Sequence, residues 1–366
     1  MTPSPILQPG TGPVRAEHYL PAASDAVLWG RLPCAGDEAA LTVDDGESAT
    51  VDTISHEGIL EDQGRDPVDF FGGHGVPAEE VLDDAVALAR SIRPRDPAAD
   101  GPHVVTGPIR VRGAQPGDLL KITVLETLPR VPYGIISNRH GRGALPGEFP
   151  REPGTVSIFA ALDPDEGRDW ASARHAAMAA RAGGPRNVRF PVAPFLGIMG
   201  VAVAQRSRPH SVPPGPHGGN LDINLLTAGS SLYLPVQVPG ALAYVGDPHF
   251  AQGDGEVALT ALEASLRVTL RFEVLPRDEA SARFGTLAGA LGETAHYLIP
   301  TGLDADLDEA MRRCVRAAVT LLQARFGMDP AHALAYLSAA TDFDISQVVD
   351  LICGVHARIR VADFEG

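Results

Sequence analysis

The sequence predicts an α+β protein that is mainly β, with an antiparallel, sandwich-like body and a helical C-terminal subdomain. Its 366 residues include 39 glycines and 32 prolines, a content of turn formers typical of β-rich chains. Residues 266–274 alternate between apolar and polar side chains, which is the pattern of a half-buried antiparallel strand. Residues 306–326 instead place apolar side chains on one helical stripe, with Gly327 as the expected C-terminal cap. The sheets and the C-terminal helices are therefore predicted from separate signals.

Local patterns predict the other elements. Apolar and β-branched runs predict strands at residues 119–128, 156–162, 187–205, 231–238 and 242–246. Helical spacing or alanine-rich composition predicts helices at residues 79–92, 169–182 and 345–352. Asp329 followed by Pro330 fits an N-cap and a first helical position, so a helix is expected from there to about residue 340.

Changes in composition divide the chain into three parts. Residues 1–205 form a β-rich part with one or two helices, residues 206–300 a central β region, and residues 301–366 the helical subdomain. The length alone allows about two domains at roughly 150 residues each. We expect the three parts to fold as one compact unit.

The charge balance and the apolar runs exclude several classes of protein. Thirty basic against 46 acidic residues give a net charge of −16, which opposes binding to nucleic acid. The longest apolar stretch, residues 192–204, contains Pro194 and is shorter than the roughly 20 residues of a membrane span. The first residues lack a secretory pattern, and the three cysteines lie far apart. We expect a cytoplasmic protein without nucleic-acid or membrane partners.

Polar residues that suit chemistry concentrate in residues 217–222, 246–249 and 252–256. Asp247 and His249 are two residues apart, as are Asp254 and Glu256, so in extended backbone each pair faces one side. Together with Asp222 they could supply carboxylates and an imidazole to a divalent cation, with one carboxylate left as a general base. Gly-Asp pairs are also common turn formers, so spacing alone leaves both readings open.

A second set lies upstream and joins this window only if the N-terminal segment folds against it. It contains Asp52, His56, Glu57 and His103. Covalent amide cleavage has weaker support, because the chain has no GxSxG motif and Lys121 is its only lysine. A serine amidase built on Ser230 and Lys121 is the remaining covalent alternative.

Three stretches of the sequence resemble the acetamidase/formamidase family. They are residues 218–263 (GGNLDINLLTAGSSLYLPVQVPGALAYVGDPHFAQGDGEVALTALE), residues 103–126 (HVVTGPIRVRGAQPGDLLKITVLE) and the C-terminal SAATDFDISQVVDLICGVHARI. The resemblance implies hydrolysis of small amides such as formamide or acetamide, a mainly β fold and homo-oligomers. It also implies a divalent metal, with zinc preferred and calcium as the alternative.

The resemblance also implies roles for individual residues. Asp52, Asp222 and His249 would hold the metal, and Glu256 would move the proton. Asp247 and Asp254 would be further catalytic carboxylates, and one or the other would orient His249. Gly219, Asn220 and Gln252 would contact the substrate. The rival hypothesis is a catalytically repurposed member that binds a small polar ligand through the same glycine-rich window.

Overall fold

The computed structural model describes residues 5–24, 26–91, 95–166 and 168–364. Strands account for 35% of the chain and helices for 18%, which confirms the mainly β class. Among the described residues, no helix combines the length and apolar character needed to cross a membrane.

The strands in chain order are β1 (His18–Leu20), β2 (Val27–Trp29), β3 (Leu41–Val43), β4 (Ser48–Asp52), β5 (Val104–Val111), β6 (Leu119–Pro129), β7 (Tyr133–Arg139), β8 (Thr155–Leu162), β9 (His175–Met178), β10 (Val188–Pro191), β11 (Phe195–Val201), β12 (Gly218–Asn220), β13 (Ser231–Pro235), β14 (Ala243–Ala251), β15 (Leu262–Glu263), β16 (Leu266–Leu275), β17 (Leu291–Glu293), β18 (Tyr297–Asp304), β19 (Asp342–Gln347) and β20 (Cys353–Arg360). The α-helices are α1 (Pro67–Gly72), α2 (Asp83–Ala89), α3 (Arg277–Phe284), α4 (Leu307–Phe326) and α5 (Pro330–Ala340). Short 3-10 turns lie at Glu61–Gln63, Ala78–Glu80, Trp170–Ser172 and Val361–Phe364.

Two large sheets form the body. The nine-stranded sheet has the order β1-β4-β16-β6-β13-β17-β18-β20-β19. The eleven-stranded sheet has the order β10-β9-β8-β7-β15-β14-β11-β12, and β5 joins it by pairing with β14, β2 and β3. Nearly all neighbours are antiparallel, with the pairs β1–β4 and β3–β5 parallel.

The main hydrophobic core lies between these sheets. Strand β6 of the first sheet contributes Leu120 and Ile122, and β11 and β14 of the second contribute Met199 and Val245, all within one cluster of buried side chains. Successive side chains of a strand point to opposite faces of its sheet, so every second residue of these strands faces the other sheet and joins this core. The predicted sandwich-like body is thus confirmed.

Two predicted helices are wrong. The alanine-rich residues 169–182 form a 3-10 turn followed by β9, because β9 pairs with both β8 and β10 and this pairing overrides helix propensity. Residues 345–352 form the end of β19 and a turn, in which Leu351 has a φ of +67° that an α-helix does not allow. The helix predicted at 79–92 is shorter, since α2 covers only Asp83–Ala89, and residue 92 lies outside the described residues.

The C-terminal part combines the predicted helices with strands. Helix α4 begins after Asp306, whose side chain accepts hydrogen bonds from the backbone amides of Asp308 and Glu309, and α5 begins after Asp329 as expected. Helix α4 packs on β18 and β20, which belong to the nine-stranded sheet. The region therefore continues the body of the molecule rather than standing beside it.

Candidate functional site

Three of the residues singled out in the sequence meet at Gly197 of β11. His249 Nε2 lies 3.1 Å from Asp247 Oδ2, and His249 Nδ1 lies 3.9 Å from Asp222 Oδ1. A Cβ atom on Gly197 would stand 2.4 Å from Asp222 Oδ1, 2.5 Å from Asp247 Oδ2 and 2.8 Å from His249 Cε1. The two carboxylates and the imidazole therefore approach the backbone of β11 at a position that only glycine permits.

Strand pairing places these side chains. Strand β14 runs antiparallel to β11 with His249 opposite Phe195, and it continues through Asp247 instead of ending before it as the sequence predicted. Asp222 comes two residues after β12, which pairs with the opposite edge of β11, and its amide donates to the Gly197 carbonyl. The site thus lies on one face of the eleven-stranded sheet.

Strained backbone marks the same site. Asp222, Asp247 and Glu256 have φ values of +52°, +49° and +46°, in the left-handed region that side-chain-bearing residues seldom adopt. Such strain costs on the order of 1–3 kcal/mol for each residue and is concentrated at functional sites. We take it as a structural sign that these carboxylates are held in place for chemistry.

The N-terminal segment does fold against the window. His56 Nδ1 lies 3.4 Å and His103 Nε2 lies 3.7 Å from Asp247 Oδ1. Ser211, in the proline-rich loop before β12, contacts His103 Nδ1 at 3.0 Å and so orients that ring. Glu57 lies behind His56, where it accepts hydrogen bonds from Gln63, Ser137 and Arg139.

Two further carboxylates complete the site and had no assigned role in the sequence. Glu263 of β15 lies opposite His249, with its Oε1 2.9 Å from His249 Nε2. Asp350, in the turn after β19, forms a buried group with Asp222 and Glu256. Glu263 could have been found from the sequence, because it is a lone acid within an apolar run. Asp350 could not, because nothing in its local sequence distinguishes it from other aspartates in turns.

Asp52 does not join the cluster, which corrects its expected role as a metal ligand. Both of its carboxylate oxygens pair with Arg267 across β4 and β16, at 2.6 and 3.0 Å. The Tyr19 hydroxyl donates to the same carboxylate. An acid that is saturated by a buried guanidinium has no lone pair directed at the site, so its role is structural.

Asp254 also lies apart from the position expected for a catalytic carboxylate orienting His249. It is exposed, its side chain accepts a hydrogen bond from Asn224, and it belongs to a separate group with Asp344 and His356. By contrast, Glu256, two residues later, reaches the main cluster together with His249 and Glu263. Asp254 and Glu256, which lie in the same loop between β14 and β15, therefore belong to two different clusters.

The three residues expected to contact substrate border the cluster. Gly219 and Asn220 lie in β12, next to Asp222. Gln252 follows β14, and its amide nitrogen donates to the Asp222 carbonyl. Asn220 Oδ1 and Gln252 Oε1 are buried without hydrogen-bond partners among the described residues.

Burial and mutual repulsion dominate the electrostatics. Burial, reinforced by the Asp247 charge, raises the pKa of Asp222 to about 7. Burial and neighbouring acids also raise the pKa values of Glu256 and Asp350 well above the usual range. For His56 burial alone would lower the pKa, but Asp247, Glu263 and Glu57 outweigh it and raise the pKa to about 10. The cluster therefore holds more acids than its positive charges can keep ionised.

The donor set fits a divalent cation. Within the described part of the chain, hydrogen-bond partners are absent for both oxygens of Asp222, for Asp247 Oδ1 and for His249 Nδ1. His249 Nε2 faces the carboxylates of Asp247 and Glu263. Buried polar atoms are normally satisfied, so lone pairs that converge in this number indicate a ligand. Zinc accepts carboxylate oxygens together with imidazole nitrogens. Calcium prefers oxygen ligands alone, so it fits the group of acids formed by Asp222, Glu256 and Asp350.

The serine amidase alternative finds no support in the geometry. The Lys121 ammonium pairs with Glu273 at 2.9 Å, and the Ser230 hydroxyl donates to the Thr227 carbonyl. A base that activates a serine must lie within hydrogen-bond reach of its hydroxyl. Each group is instead engaged with another partner.

Fold and site together define a two-sheet β protein with a buried carboxylate–imidazole site suited to cation binding and proton transfer. The model of the Acetamidase/Formamidase family matches residues 89–210 and 202–361, and the chain belongs to that family. The family expected from the sequence is therefore confirmed.

Individual relatives agree with this assignment. A formamidase from Methylophilus methylotrophus is 30% identical over 200 residues, 42% of this chain and 47% of that protein. An acetamidase from Mycolicibacterium smegmatis is 31% identical over 202 residues, 42% of this chain and 49% of that protein. The chain spans about half the length of the curated relatives it matches. The crystal structure of an acetamidase from Yersinia enterocolitica shares the fold, with a TM-score of 0.73 at 22% identity over 98% of this chain and 95% of that one.

Proposed function

We propose that this protein is an amidohydrolase that cleaves small aliphatic amides, of the formamide and acetamide type, to a carboxylate and ammonia. The names of two similar proteins, a formamidase and an acetamidase, support this substrate class. The observation that carries the proposal is the meeting of Asp222, Asp247 and His249 at Gly197, where carboxylate oxygens of Asp222 and Asp247 are left without hydrogen-bond partners among the described residues.

Asp222, Asp247 and His249 would hold a divalent cation, with zinc preferred because the set includes an imidazole and calcium as the alternative. Asp247 takes the place that the sequence gave to Asp52. A cation bound there would polarise the amide carbonyl and make water a better nucleophile near neutral pH. His56 and His103, which both face Asp247, would keep that carboxylate oriented.

Glu256 would move the proton. It lies in one buried group with His249 and Glu263 and in another with Asp222 and Asp350. Burial and the neighbouring acids raise its pKa, so its carboxylate readily accepts a proton from the attacking water. The protonated carboxyl then donates to the leaving nitrogen, which departs as ammonia.

Two side-chain carbonyl oxygens suit the recognition of an amide. Gln252 uses its nitrogen for the carbonyls of Asp222 and Ser346 and leaves Oε1 free, and Asn220 Oδ1 is free as well. A primary amide carries an NH₂ group with two donors, which match two unpartnered acceptors. A substrate without that group would leave both acceptors buried and unpaired, at about 1–3 kcal/mol each.

The test is ammonia release from formamide, acetamide and propionamide, before and after treatment with a chelator. Glu256→Gln should lower kcat by about 10²–10⁴-fold, as expected for loss of a general acid–base group. Glu279→Gln on the exposed face of α3 is the matched control and should keep wild-type turnover. Full turnover by metal-free protein would rule out the cation, and a folded wild type that releases no ammonia would favour the ligand-binding alternative.

A homo-oligomer, a dimer or larger, is part of the same proposal. Val156 and Ile158, two residues apart on β8, are 45% and 40% exposed and offer an apolar strip for a second copy. Light scattering of the purified protein measures the mass, and a monomer at all concentrations would contradict this part.

A further inference from the structure

A second cluster of ligating side chains lies outside the site described above. Asp254 of the β14–β15 loop, Asp344 of β19 and His356 of β20 each offer one ligand atom, and these atoms lie within 4.8 Å of one another. The opposition of β19 and β20 explains part of the arrangement, because Asp344 and His356 are direct partners in the ladder. Asp254 then reaches the pair from the neighbouring loop.

His356 gives this cluster the character of a binding site. Its side chain is only 1% exposed, its Nδ1 lies 2.8 Å from Ser346 Oγ, and its Nε2 lies 4.0 Å from Asp344 Oδ2. That Nε2 atom has no hydrogen-bond partner in the described part of the chain. A buried ring nitrogen directed at a carboxylate, yet too far to bond it, leaves room for an atom that bonds both.

The protonation state of the imidazole suits a ligand. Burial lowers the pKa of His356 to about 4, so the ring is neutral at physiological pH. If Nδ1 donates to the Ser346 hydroxyl, the lone pair lies on Nε2 and points into the cluster. Nearby, burial and the Asp344 charge raise the pKa of Asp254, and the Arg358 charge offsets this rise only in part.

The guanidinium group of Arg358 already pairs with one of the acids in this cluster. Arg358 Nε lies 2.6 Å from Asp344 Oδ2, and the same guanidinium reaches Asp342 at 3.1 Å. Arg358 is one-third exposed, so it can move toward Asp342 and solvent at little cost. Asp344 would then be released to a stronger ligand.

We propose that Asp254, Asp344 and His356 form a second divalent-cation site, selective for zinc-like ions that accept an imidazole. Two carboxylates and one neutral imidazole are a ligand set that zinc accepts, whereas magnesium and calcium prefer oxygen ligands alone. Because Asp254 is exposed, water can complete the coordination and the ion can exchange with solvent. This site does not depend on the proposed amide hydrolysis.

The position of this second site connects it to the first. The Ser346 carbonyl accepts hydrogen bonds from the Gly255 amide at 3.1 Å and from Gln252 Nε2 at 3.2 Å. Gly255 lies between Asp254 and Glu256, so an ion that joins Asp254 to β19 and β20 would stabilise the loop that carries Glu256. The second ion is therefore expected to be structural.

Zinc binding by the full chain tests the proposal through equilibrium dialysis and elemental analysis. Asp344→Asn should remove one zinc equivalent per chain relative to wild type, or weaken it by about tenfold or more. Asp342→Asn is the matched control, because Asp342 also pairs with Arg358 but lies outside the cluster, and it should keep the wild-type count. Zinc in the first site is common to all three proteins and cancels in the difference.

A second variant changes affinity in the opposite direction. Arg358→Gln removes the competing guanidinium and should tighten the zinc equivalent that Asp344→Asn loses. If Asp344 serves only the ion pair, both variants will lower the melting temperature and leave the zinc count unchanged, which overturns the proposal. The count does not depend on ammonia release, so the second site and the proposed function can fail separately.

Discussion

At the scale of single residues, the site depends on Gly197, which carries no functional group. Asp222 and Asp247 approach its Cα so closely that any side chain would displace them. The same acids already have left-handed backbone, so little freedom remains for them to move aside. Gly197 has no functional side chain, but it determines how closely Asp222, Asp247 and His249 can approach one another.

Gly197→Ala should therefore disable the site while the protein still folds. Overpacking of this kind costs about 1–3 kcal/mol of the free energy of unfolding. Misplacement of ligands by about 1 Å should lower kcat/KM by about 10²-fold. Ammonia release and zinc content measure the effect.

The matched control is Gly253→Ala in the β14–β15 loop, where an added Cβ meets no atom within 4 Å and φ is not positive. It should retain wild-type activity and metal content. If Gly197→Ala also retained both, the arrangement of Asp222, Asp247 and His249 around β11 would not be the working site.

At the scale of elements, the pairing of β4 with β16 contains a buried ion pair. Arg267 lies opposite Asp52 in the ladder, and their side chains are 1% and 0% exposed. The alternation of residues 266–274 predicted a solvent-exposed arginine here, but the N-terminal segment covers it and accepts its hydrogen bonds at Gln8, Thr11 and Pro13. A half-buried strand became a buried one because a distant segment packs on its polar face.

Asp52→Asn should lower stability without changing metal content. Removal of one partner leaves a buried guanidinium without its counter-charge, at a cost of about 3–5 kcal/mol. The control Asp44→Asn breaks an exposed pair with Arg112 and should cost about 1 kcal/mol or less. Urea unfolding gives the free energies, and a loss of zinc in Asp52→Asn at unchanged stability would restore Asp52 as a ligand.

The sequence predicted elements well where the signal was local. The strands β6, β8 and β16 and the helices α4 and α5 follow from periodicity and caps within their own residues. The helix predicted at residues 169–182 is wrong because strand pairing with β8 and β10 determines the structure of this segment, and that pairing is not local. The same limit applies to the site: Asp222, His249 and Glu256 were found from glycine-flanked motifs, whereas Asp350 and the contacts of His56 require the tertiary fold.

At the scale of the whole molecule, the site joins distant parts of the chain. His56 comes from the N-terminal segment, Asp247 from the central sheet and Asp350 from the C-terminal turn, and all three side chains are buried. A cation shared among such groups binds only the folded state, so its binding free energy adds to the stability of the fold. Binding of such a cation would therefore link the proposed site to the stability of the whole chain.

This linkage gives the cation-free protein a particular pH dependence. Burial raises the pKa of Asp222 from 3.8 to about 7, and the pKa values of Glu256 and Asp350 are raised as well. Acids with raised pKa values bind more protons in the folded state than in the unfolded state, so stability falls as pH rises through this range. His56, with its pKa raised to about 10, extends the fall above its unperturbed pKa of 6.5.

Chelator-treated protein should therefore lose stability steadily between about pH 4 and 7, because a raised folded pKa favours the protonated native state only below it. Zinc-loaded protein should lose less, since the ion replaces the protons that neutralise these acids. Thermal unfolding of both forms at matched pH values gives the difference between their melting temperatures. Titratable groups outside the cluster affect both forms equally, so their contributions cancel in this difference. The gap between the melting temperatures should widen with rising pH; a gap that stays constant or narrows would mean that the buried acids do not share a cation.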